Sequence, residues 1–216
     1  MRHFSIFIFL MILFLNFSSM KVFSEIKGAI EYSIPVDYSK LSEVELYDKA
    51  KVYYFNAQKA PDGVITEDVT RALMIYAVLE RMNSECVEYP LRQGVLYDKL
   101  NKNRYAKGCF FRAIGIDSSK PDAYFYLGEY YYKREMYRKA LKYYNEAYNK
   151  GYLTNYDILY RLGDIYEKLG DTRSALKYLI EAQQQSPNIE LENKINKINV
   201  RHAVNKEIYS NTRIHP

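Results

Sequence analysis

The sequence has few residues for covalent or metal-based construction: 216 residues include no tryptophan, three histidines and two cysteines. Cys86 and Cys109 are too few for a disulfide-built scaffold and lack the spacing of a metal site. A single disulfide between them stays open, because an exported chain with an even number of cysteines can form one. The alternative, which the sequence favours, is two small and partly buried thiols.

The histidines are also placed where no catalytic or metal site is expected. His3 lies in the N-terminal apolar segment, while His202 and His215 lie near the polar C-terminal end. The sequence contains no histidine pair with helix-face spacing and no glycine-rich phosphate loop. Carboxylates alternate with Lys and Arg, as on a solvated helix face. We therefore expect no enzymatic activity, and no catalytic residue, metal ion or cofactor.

The chain carries little net charge. Its formal net charge is +5, which falls to +3 when Arg2 and Lys21 of the N-terminal segment are left out. Basic and acidic residues are interspersed along the sequence rather than clustered. A dedicated nucleic-acid surface needs a basic stripe, so we expect no nucleic-acid partner.

Residues 1–24 have the layout of a secretory signal peptide. A short polar start precedes an apolar run at 4–17, and small residues occupy the positions that a signal peptidase reads before Glu25. A membrane-spanning helix needs roughly 20 apolar residues, and Lys21 cuts this run short. We expect cleavage and export to the periplasm or the secreted space. The alternative is an uncleaved anchor at 4–23, with the protein facing outside.

Two blocks in the centre of the chain can be laid over each other. The first block contains Tyr124, Leu127, Gly128, Tyr131, Ala140, Tyr144 and Ala147. The second contains Leu159, Leu162, Gly163, Tyr166, Ala175, Leu179 and Ala182, 35 residues further on. A partial set lies 34 residues before the first block and contains Gly94, Tyr97, Ala106, Phe110 and Ala113. Steps of three and four residues place such positions on one helix face, so each block predicts two helices.

A glycine recurs inside the first helix of each block, at Gly94, Gly128 and Gly163. A glycine in a helix interior costs about 1 kcal/mol relative to alanine, so its repetition needs a physical reason. We predict that the second helix of the block approaches the first closely at this point. A single pair of helices cannot bury its own apolar face, so neighbouring pairs must stack.

The segments around the blocks predict how the stack begins and ends. Residues 25–40 read as an extended lead-in, and residues 41–84 as a degenerate helical hairpin with a capping box at 42–45. Residues 188–216 predict a polar capping helix that closes the last apolar face. Within this segment, residues 203–216 are expected to form a frayed polar tail.

The blocks resemble tetratricopeptide repeats, whose signature is an aromatic residue, Leu-Gly, Tyr, Ala, an aromatic and a closing Pro. The Sel1-like pattern is an alternative, but its longer repeat fits these spacings less well. In this chain Pro187 closes the last block, while Pro90 replaces one opening aromatic and Tyr152 replaces one closing Pro. The resemblance implies an all-α fold, an α-solenoid of antiparallel helix pairs with about four hairpins and a C-terminal capping helix. The repeats would span 41–187, as a degenerate unit at 41–84 and units at 87–120, 121–154 and 156–189.

The resemblance also implies a binding surface. In this family a second stripe on each first helix lines the concave face of the superhelix, and here it holds Asp122, Phe125, Glu129 and Tyr132, then Asp157, Tyr160, Asp164 and Glu167. We predict that a partner is bound by Phe125, Glu129, Tyr132, Tyr160, Asp164 and Glu167. Aromatic anchors are the usual energetic centre of an interface, and the acids favour a basic or amine-bearing protein or peptide. The alternative is that the rings pack against neighbouring repeats and the acids only keep the face soluble.

The same stripe excludes one known binding mode. The family's clamp for acidic C-terminal peptides needs Lys and Asn where this chain has Phe125 and Glu129. Tyrosine runs at 130–132 and 143–144 predict exposed ring faces and a capacity for self-association. We therefore expect a non-catalytic protein–protein interaction scaffold of the cell envelope or secreted space. The alternative is a membrane-anchored assembly factor for an envelope complex.

Overall fold

The computed structural model describes residues 38–152 and 155–212, without the side chains of residues 39 and 206–212. The predicted signal segment at 1–24 and most of the lead-in at 25–40 lie outside this range, as does the end of the predicted tail. The described residues contain α-helices, one 3₁₀ turn at Tyr38–Lys40 and no strand. Nowhere in this range is a helix both long enough and apolar enough to cross a membrane.

The described residues form nine α-helices, joined by short turns. In chain order they are α1 (Glu43–Lys59), α2 (Glu67–Met82), α3 (Glu88–Lys99), α4 (Asn103–Ile116), α5 (Pro121–Tyr132), α6 (Tyr137–Asn149), α7 (Tyr156–Lys168), α8 (Thr172–Gln185) and α9 (Ile189–Thr212). They divide into two compact units, with the boundary between Leu79 and Glu80. The prediction of an all-α fold built from helix pairs is confirmed.

The first unit contains α1 and most of α2. The predicted capping box is present, since the Ser42 side chain accepts from the Glu45 N–H while Glu45 accepts from the Ser42 N–H at 2.9 Å. The two helices meet through an edge-to-face contact between Tyr54 and Tyr76, whose ring centroids are 6.1 Å apart. The Arg71 guanidinium adds a 2.9 Å hydrogen bond to the Tyr53 hydroxyl.

The second unit is an α-solenoid of three antiparallel hairpins, α3–α4, α5–α6 and α7–α8, with α9 packed against α8. Its close packing explains the recurring glycine. A Cβ added at Gly128 would lie 2.5 Å from the Tyr144 ring, and one at Gly163 would lie 2.5 Å from Leu179. At Gly94 the same atom would lie 2.6 Å from Phe110. The predicted close approach is therefore confirmed in all three hairpins.

The turns inside the three hairpins share one backbone geometry. Asn101, Glu135 and Gly170 have φ of 56°, 56° and 82° and occupy equivalent positions. In each turn the residue that follows donates its N–H to the carbonyl of a tyrosine five residues earlier, as in a Schellman motif. Only the last of these positions holds glycine, so the other two turns carry left-handed strain.

The tyrosine runs pack partly inward. Tyr130 and Tyr144 are buried, and Tyr131, Tyr132 and Tyr143 are half-buried. Tyr131 stacks on Tyr143 with centroids 5.3 Å apart, and the equivalent rings of the next hairpin, Tyr166 and Tyr178, stack at 5.6 Å. Tyrosines at repeat positions thus pack on each other, and the capacity for self-association stays a prediction.

The C-terminal helix closes the stack and is longer than predicted. Leu191, Ile195 and Ile198 are buried against the rest of the second unit, whereas Ile189 is exposed. The helix continues to Thr212, although the sequence predicted a frayed tail from residue 203. Residues 203–212 contain neither glycine nor proline, so nothing in them stops the helix.

Both cysteines are free thiols. Cys109 is buried in α4, and burial raises the pKa of its thiol to about 11. Arg112 lies beside it, with Nη2 3.4 Å from Sγ. A thiol with so high a pKa is a weak nucleophile at neutral pH.

Candidate functional site

The six residues predicted to bind a partner fall into two groups. Phe125, Glu129 and Tyr160 line an open groove of about 450 Å³ between α5 and α7. Tyr132, Asp164 and Glu167 lie further toward the C-terminal ends of the same helices and do not line it. We call the exposed side of α3, α5 and α7 the first-helix face. The groove is an open cavity on this face, lined by three of the six predicted residues.

Both walls of the groove are rich in tyrosine. The lining residues are Phe125, Tyr126, Glu129, Tyr156, Asp157, Tyr160 and Arg161. The prediction missed Tyr126, Tyr156 and Arg161. The predicted stripe follows a single line along each helix, whereas a groove between two helices is lined by residues from the facing sides of both. The i,i+4 spacing of Tyr156 and Tyr160 was the available signal for a continuous aromatic wall.

The aromatic rings are ordered by contacts with one another. Phe125 lies among the rings of Tyr126, Tyr144 and Tyr152, at centroid distances of 5.6, 5.9 and 6.1 Å. On the opposite wall Tyr156 stacks on Tyr160 at 6.1 Å with an interplanar angle of 19°. Such packing holds the rings in place before a ligand arrives, which lowers the entropy lost on binding.

The groove also offers hydrogen-bonding groups. The hydroxyls of Tyr126, Tyr156 and Tyr160 make no hydrogen bond to any residue that the structure describes, and Asp157 is exposed without an ion pair in the same range. A bound segment can therefore find three phenol hydroxyls and one carboxylate beside apolar rings. This combination suits a peptide better than a wholly apolar ligand.

Glu129 is not a free acid. Its carboxylate pairs with the Arg161 guanidinium, at 2.6 Å from Nε and 3.0 Å from Nη2, and accepts a 2.5 Å hydrogen bond from the Tyr144 hydroxyl. Burial and the nearby Glu129 charge raise the pKa of the Tyr144 phenol, so it stays protonated as the donor. The charge of Glu129 is thus largely neutralised within the chain.

The second group of predicted residues joins α7 to the capping helix. Asp164 accepts hydrogen bonds from the Tyr132 hydroxyl and from Lys194 Nζ, the latter at 2.5 Å. Burial opposes ionisation of Asp164, but the hydrogen bonds from Lys194 and Tyr132 outweigh it and lower the pKa. Glu167 pairs with Arg201 at 3.0 Å and with Lys194 at 3.4 Å. These acids hold α9 in place and do not form an open acidic surface.

The same arrangement recurs along the whole first-helix face. An acid of one helix pairs with a base about one repeat later, as in Asp98–Lys133, Asp98–Arg134, Glu129–Arg161, Asp164–Lys194 and Glu167–Arg201. We call this set the ion-pair ladder. Because each pair joins neighbouring elements of the stack, it stabilises their stacking and leaves the face with little free charge.

A larger open cavity, of about 750 Å³, lies at the N-terminal ends of α3 and α5. It is lined by four acids, two bases, Cys86 and a few aliphatic residues, with no aromatic side chain. The groove between α5 and α7 is the better candidate site, because it combines ordered rings with open hydroxyls.

Comparison with known proteins agrees with this architecture. Residues 122–150 and 156–189 match models of the tetratricopeptide repeat family. The solved structure of YrrB, described as a TPR protein with an unusual peptide-binding site, is 26% identical over 62% of this chain and 70% of that one, with a TM-score of 0.56. No curated protein sequence matches the chain.

A second similar structure shows the fold alone. MamA from Desulfovibrio magneticus RS-1, residues 41 to the end, is 19% identical over 76% of this chain and 90% of that one, with a TM-score of 0.56. The repeats and the similarity to YrrB support a protein–protein interaction scaffold, and proteins of the tetratricopeptide repeat family are typically non-catalytic.

Proposed function

We propose that this chain is a non-catalytic scaffold that binds an extended peptide segment of a partner protein in the groove between α5 and α7. The observation that carries the proposal is the pair of ordered aromatic walls, with Phe125 on one side and the Tyr156–Tyr160 stack on the other. Rigid aromatic side chains lose little entropy on binding and dominate the affinity of many interfaces.

The partner segment should carry an apolar or aromatic side chain next to one basic or amine group. The apolar group would lie between the two walls, in contact with Phe125 on one side and with the Tyr156–Tyr160 stack on the other. The basic group would meet Asp157, which is the groove carboxylate without an ion pair in the described chain. Glu129 contributes less to recognition because Arg161 already neutralises it. The peptide-binding site named for YrrB supports a peptide as the ligand class.

The protein is proposed to act outside the cytoplasm, in the periplasm or the secreted space. The support is the layout of residues 1–24, which lie outside the described residues. The second candidate is an assembly factor of an envelope complex, anchored by an uncleaved segment at 4–23. Sequencing the N-terminus of the protein from its own cells separates the two. Glu25 as the first residue supports export with cleavage, whereas an intact N-terminus in the membrane fraction supports the anchor.

The groove is tested by panning a random peptide library displayed on phage against the full chain. The variant Phe125→Ala with Tyr160→Ala removes one ring from each wall. The control Tyr166→Ala with Tyr178→Ala also removes two packed rings, but from a stack outside the groove. We expect enriched peptides that share an apolar residue and a basic residue, and that bind the control but not the groove variant.

Two further outcomes decide the proposal. Tyr156→Phe with Tyr160→Phe keeps the rings and removes two hydroxyls, so we expect weaker binding of the same peptides with unchanged helical content. Peptides that bind the wild type and the groove variant equally would show that the groove is not the binding site, provided that both proteins unfold at similar temperatures.

A further inference from the structure

The second helices of the three hairpins carry arginine at one repeated position. Arg104, Arg138 and Arg173 each lie two residues before the buried alanine of their helix, and all three are exposed. We call the exposed side of α4, α6 and α8 the second-helix face. Because equivalent positions of stacked repeats point in equivalent directions, these arginines form a row across the second unit.

Further basic residues extend this row. Lys107, Lys139, Lys142 and Lys177 are exposed on the same three helices, whereas α4 contains no acid and α6 and α8 contain one each. Along the sequence these cations are separated by other residues, which is why they read as interspersed. Stacking of the repeats brings them onto one face of the second unit.

These cations are not neutralised by the described part of the chain. None of the seven residues in the row forms an ion pair with a described residue. Lys139, Lys142 and Lys177 lie above tyrosine rings at 5.6, 5.8 and 5.1 Å, which leaves their charge uncompensated. The second-helix face is therefore a patch of open positive charge.

Apolar side chains lie beside the arginine row. Phe111 and Ile180 are 44% and 43% exposed and follow Arg104 and Arg173 by seven residues. Seven residues are close to two helical turns, so each apolar side chain shares a face with its arginine. Two of the three helices thus present an arginine and an apolar group on one face, about 10 Å apart along the helix, while the middle helix has Asn145 at the apolar position.

We infer that the second-helix face docks on an anionic membrane surface. Lysine and arginine near such a surface are attracted to its acidic headgroups, and apolar side chains among them enter the interface between headgroups and acyl chains. Lipids rearrange laterally, so they can match a row of charges that has no groove. A nucleic-acid backbone would bind the cations but would provide no apolar environment for Phe111 and Ile180. This route to a membrane differs from the alternative of an uncleaved N-terminal anchor and leaves the groove free.

The test measures co-sedimentation of the full chain with vesicles of phosphatidylcholine, with and without phosphatidylglycerol, at low salt. We expect binding to the anionic vesicles that falls as salt is added. Arg104→Gln, Arg138→Gln and Arg173→Gln together should lower the partition coefficient at least tenfold, since each basic residue near an anionic surface contributes roughly fivefold. Phe111→Ser with Ile180→Ser should lower it by several-fold, and most clearly at high salt.

A control variant changes the same net charge elsewhere. Lys49→Gln, Arg81→Gln and Lys197→Gln replace exposed cations of α1, α2 and α9 and should leave vesicle binding within about twofold. The N-terminal apolar segment is common to all variants, so any contribution from it also appears with phosphatidylcholine alone. An equal loss in both triple variants, equal binding to both vesicles, no binding to anionic vesicles, or tighter binding to duplex DNA than to anionic vesicles would overturn the inference.

Discussion

The two faces of the second unit use their charges in opposite ways. On the first-helix face Asp98, Glu129, Asp164 and Glu167 are each paired with a base about one repeat away. On the second-helix face Arg104, Arg138 and Arg173 have no ionic partner among the described residues. A paired charge contributes to stacking and is hidden from a ligand, whereas an unpaired charge adds little stability and is available for binding.

The largest loss of stability is expected from substitution of Asp98, which is 8% exposed and forms ion pairs with both Lys133 and Arg134. Asp98→Ala leaves both cations without their carboxylate at the joint between the first and second hairpins of this unit. We expect a loss of about 2–3 kcal/mol in the free energy of unfolding, below the range for fully buried pairs because Lys133 is half exposed. Denaturant titration measures it. A loss under about 0.5 kcal/mol would mean that the ladder does not stabilise the stack.

A smaller effect is expected from the Glu129–Arg161 pair, which is partly exposed. A double-mutant cycle with Glu129→Gln and Arg161→Gln isolates the coupling from the loss of either side chain alone. We expect a coupling free energy of about 1 kcal/mol, between that of surface pairs and that of buried pairs. Tyr144→Phe should cost a similar amount, because it removes the hydrogen bond that Tyr144 donates to Glu129. A coupling free energy near zero would show that the Glu129–Arg161 ion pair does not stabilise the stack.

The turns between the two faces predict a stabilising substitution. Glu135 has a φ of 56°, a conformation that costs a non-glycine residue about 1–2 kcal/mol. The equivalent residue of the next hairpin, Gly170, already avoids this strain. Part of the strain relief is offset by the greater flexibility of glycine in the unfolded chain. We expect Glu135→Gly to raise the free energy of unfolding by about 0.5–1 kcal/mol, and a fall in thermal stability would contradict the turn geometry.

Lowering the pH should reduce the stability contributed by the charges of the first-helix face before that contributed by the second-helix face. The pKa of Asp164 is lowered in the folded state despite its burial, through Lys194 and Tyr132. A lowered carboxylate pKa contributes stability that is fully present above the unfolded-state pKa and is lost as pH falls through the folded-state pKa. We therefore expect the stability difference between wild type and Asp164→Asn to shrink as pH falls below about 4. A difference that stays constant between pH 7 and pH 3 would show that its charge contributes nothing.

The smallest effect is expected on the second-helix face. Arg138→Ala removes an exposed side chain without an ionic partner in the described chain, so the free energy of unfolding should change by less than about 0.5 kcal/mol. The matched substitution Arg161→Ala, on the first-helix face, should cost clearly more because it leaves Glu129 without its partner. Equal effects of the two substitutions on thermal stability would show that paired and unpaired arginines contribute equally to stability.

The sequence predicted the repeat well because its signal is local. Gly94, Gly128 and Gly163 predict where the second helix of each hairpin approaches the first, and an added Cβ at each would overlap a side chain of that helix. Phe125, Glu129 and Tyr160 were correctly placed on one surface, since they follow helical periodicity. The ion pairs were missed because Arg161 and Lys194 lie about one repeat from their acids, and no short spacing connects them. The arginine row was missed for the same reason, since Arg104, Arg138 and Arg173 meet only after the repeats stack.

Comparison of two triple variants tests whether the charges of the first-helix face stabilise the stack while those of the second-helix face remain available for binding. One is Asp98→Asn, Glu129→Gln and Asp164→Asn, and the other is Arg104→Gln, Arg138→Gln and Arg173→Gln. In denaturant titrations at pH 7 and low salt, we predict that the first loses at least about 3 kcal/mol of unfolding free energy while the second stays within about 1 kcal/mol of wild type. Losses of unfolding free energy of equal size in the two variants would show that the charges of the two faces contribute equally to stability.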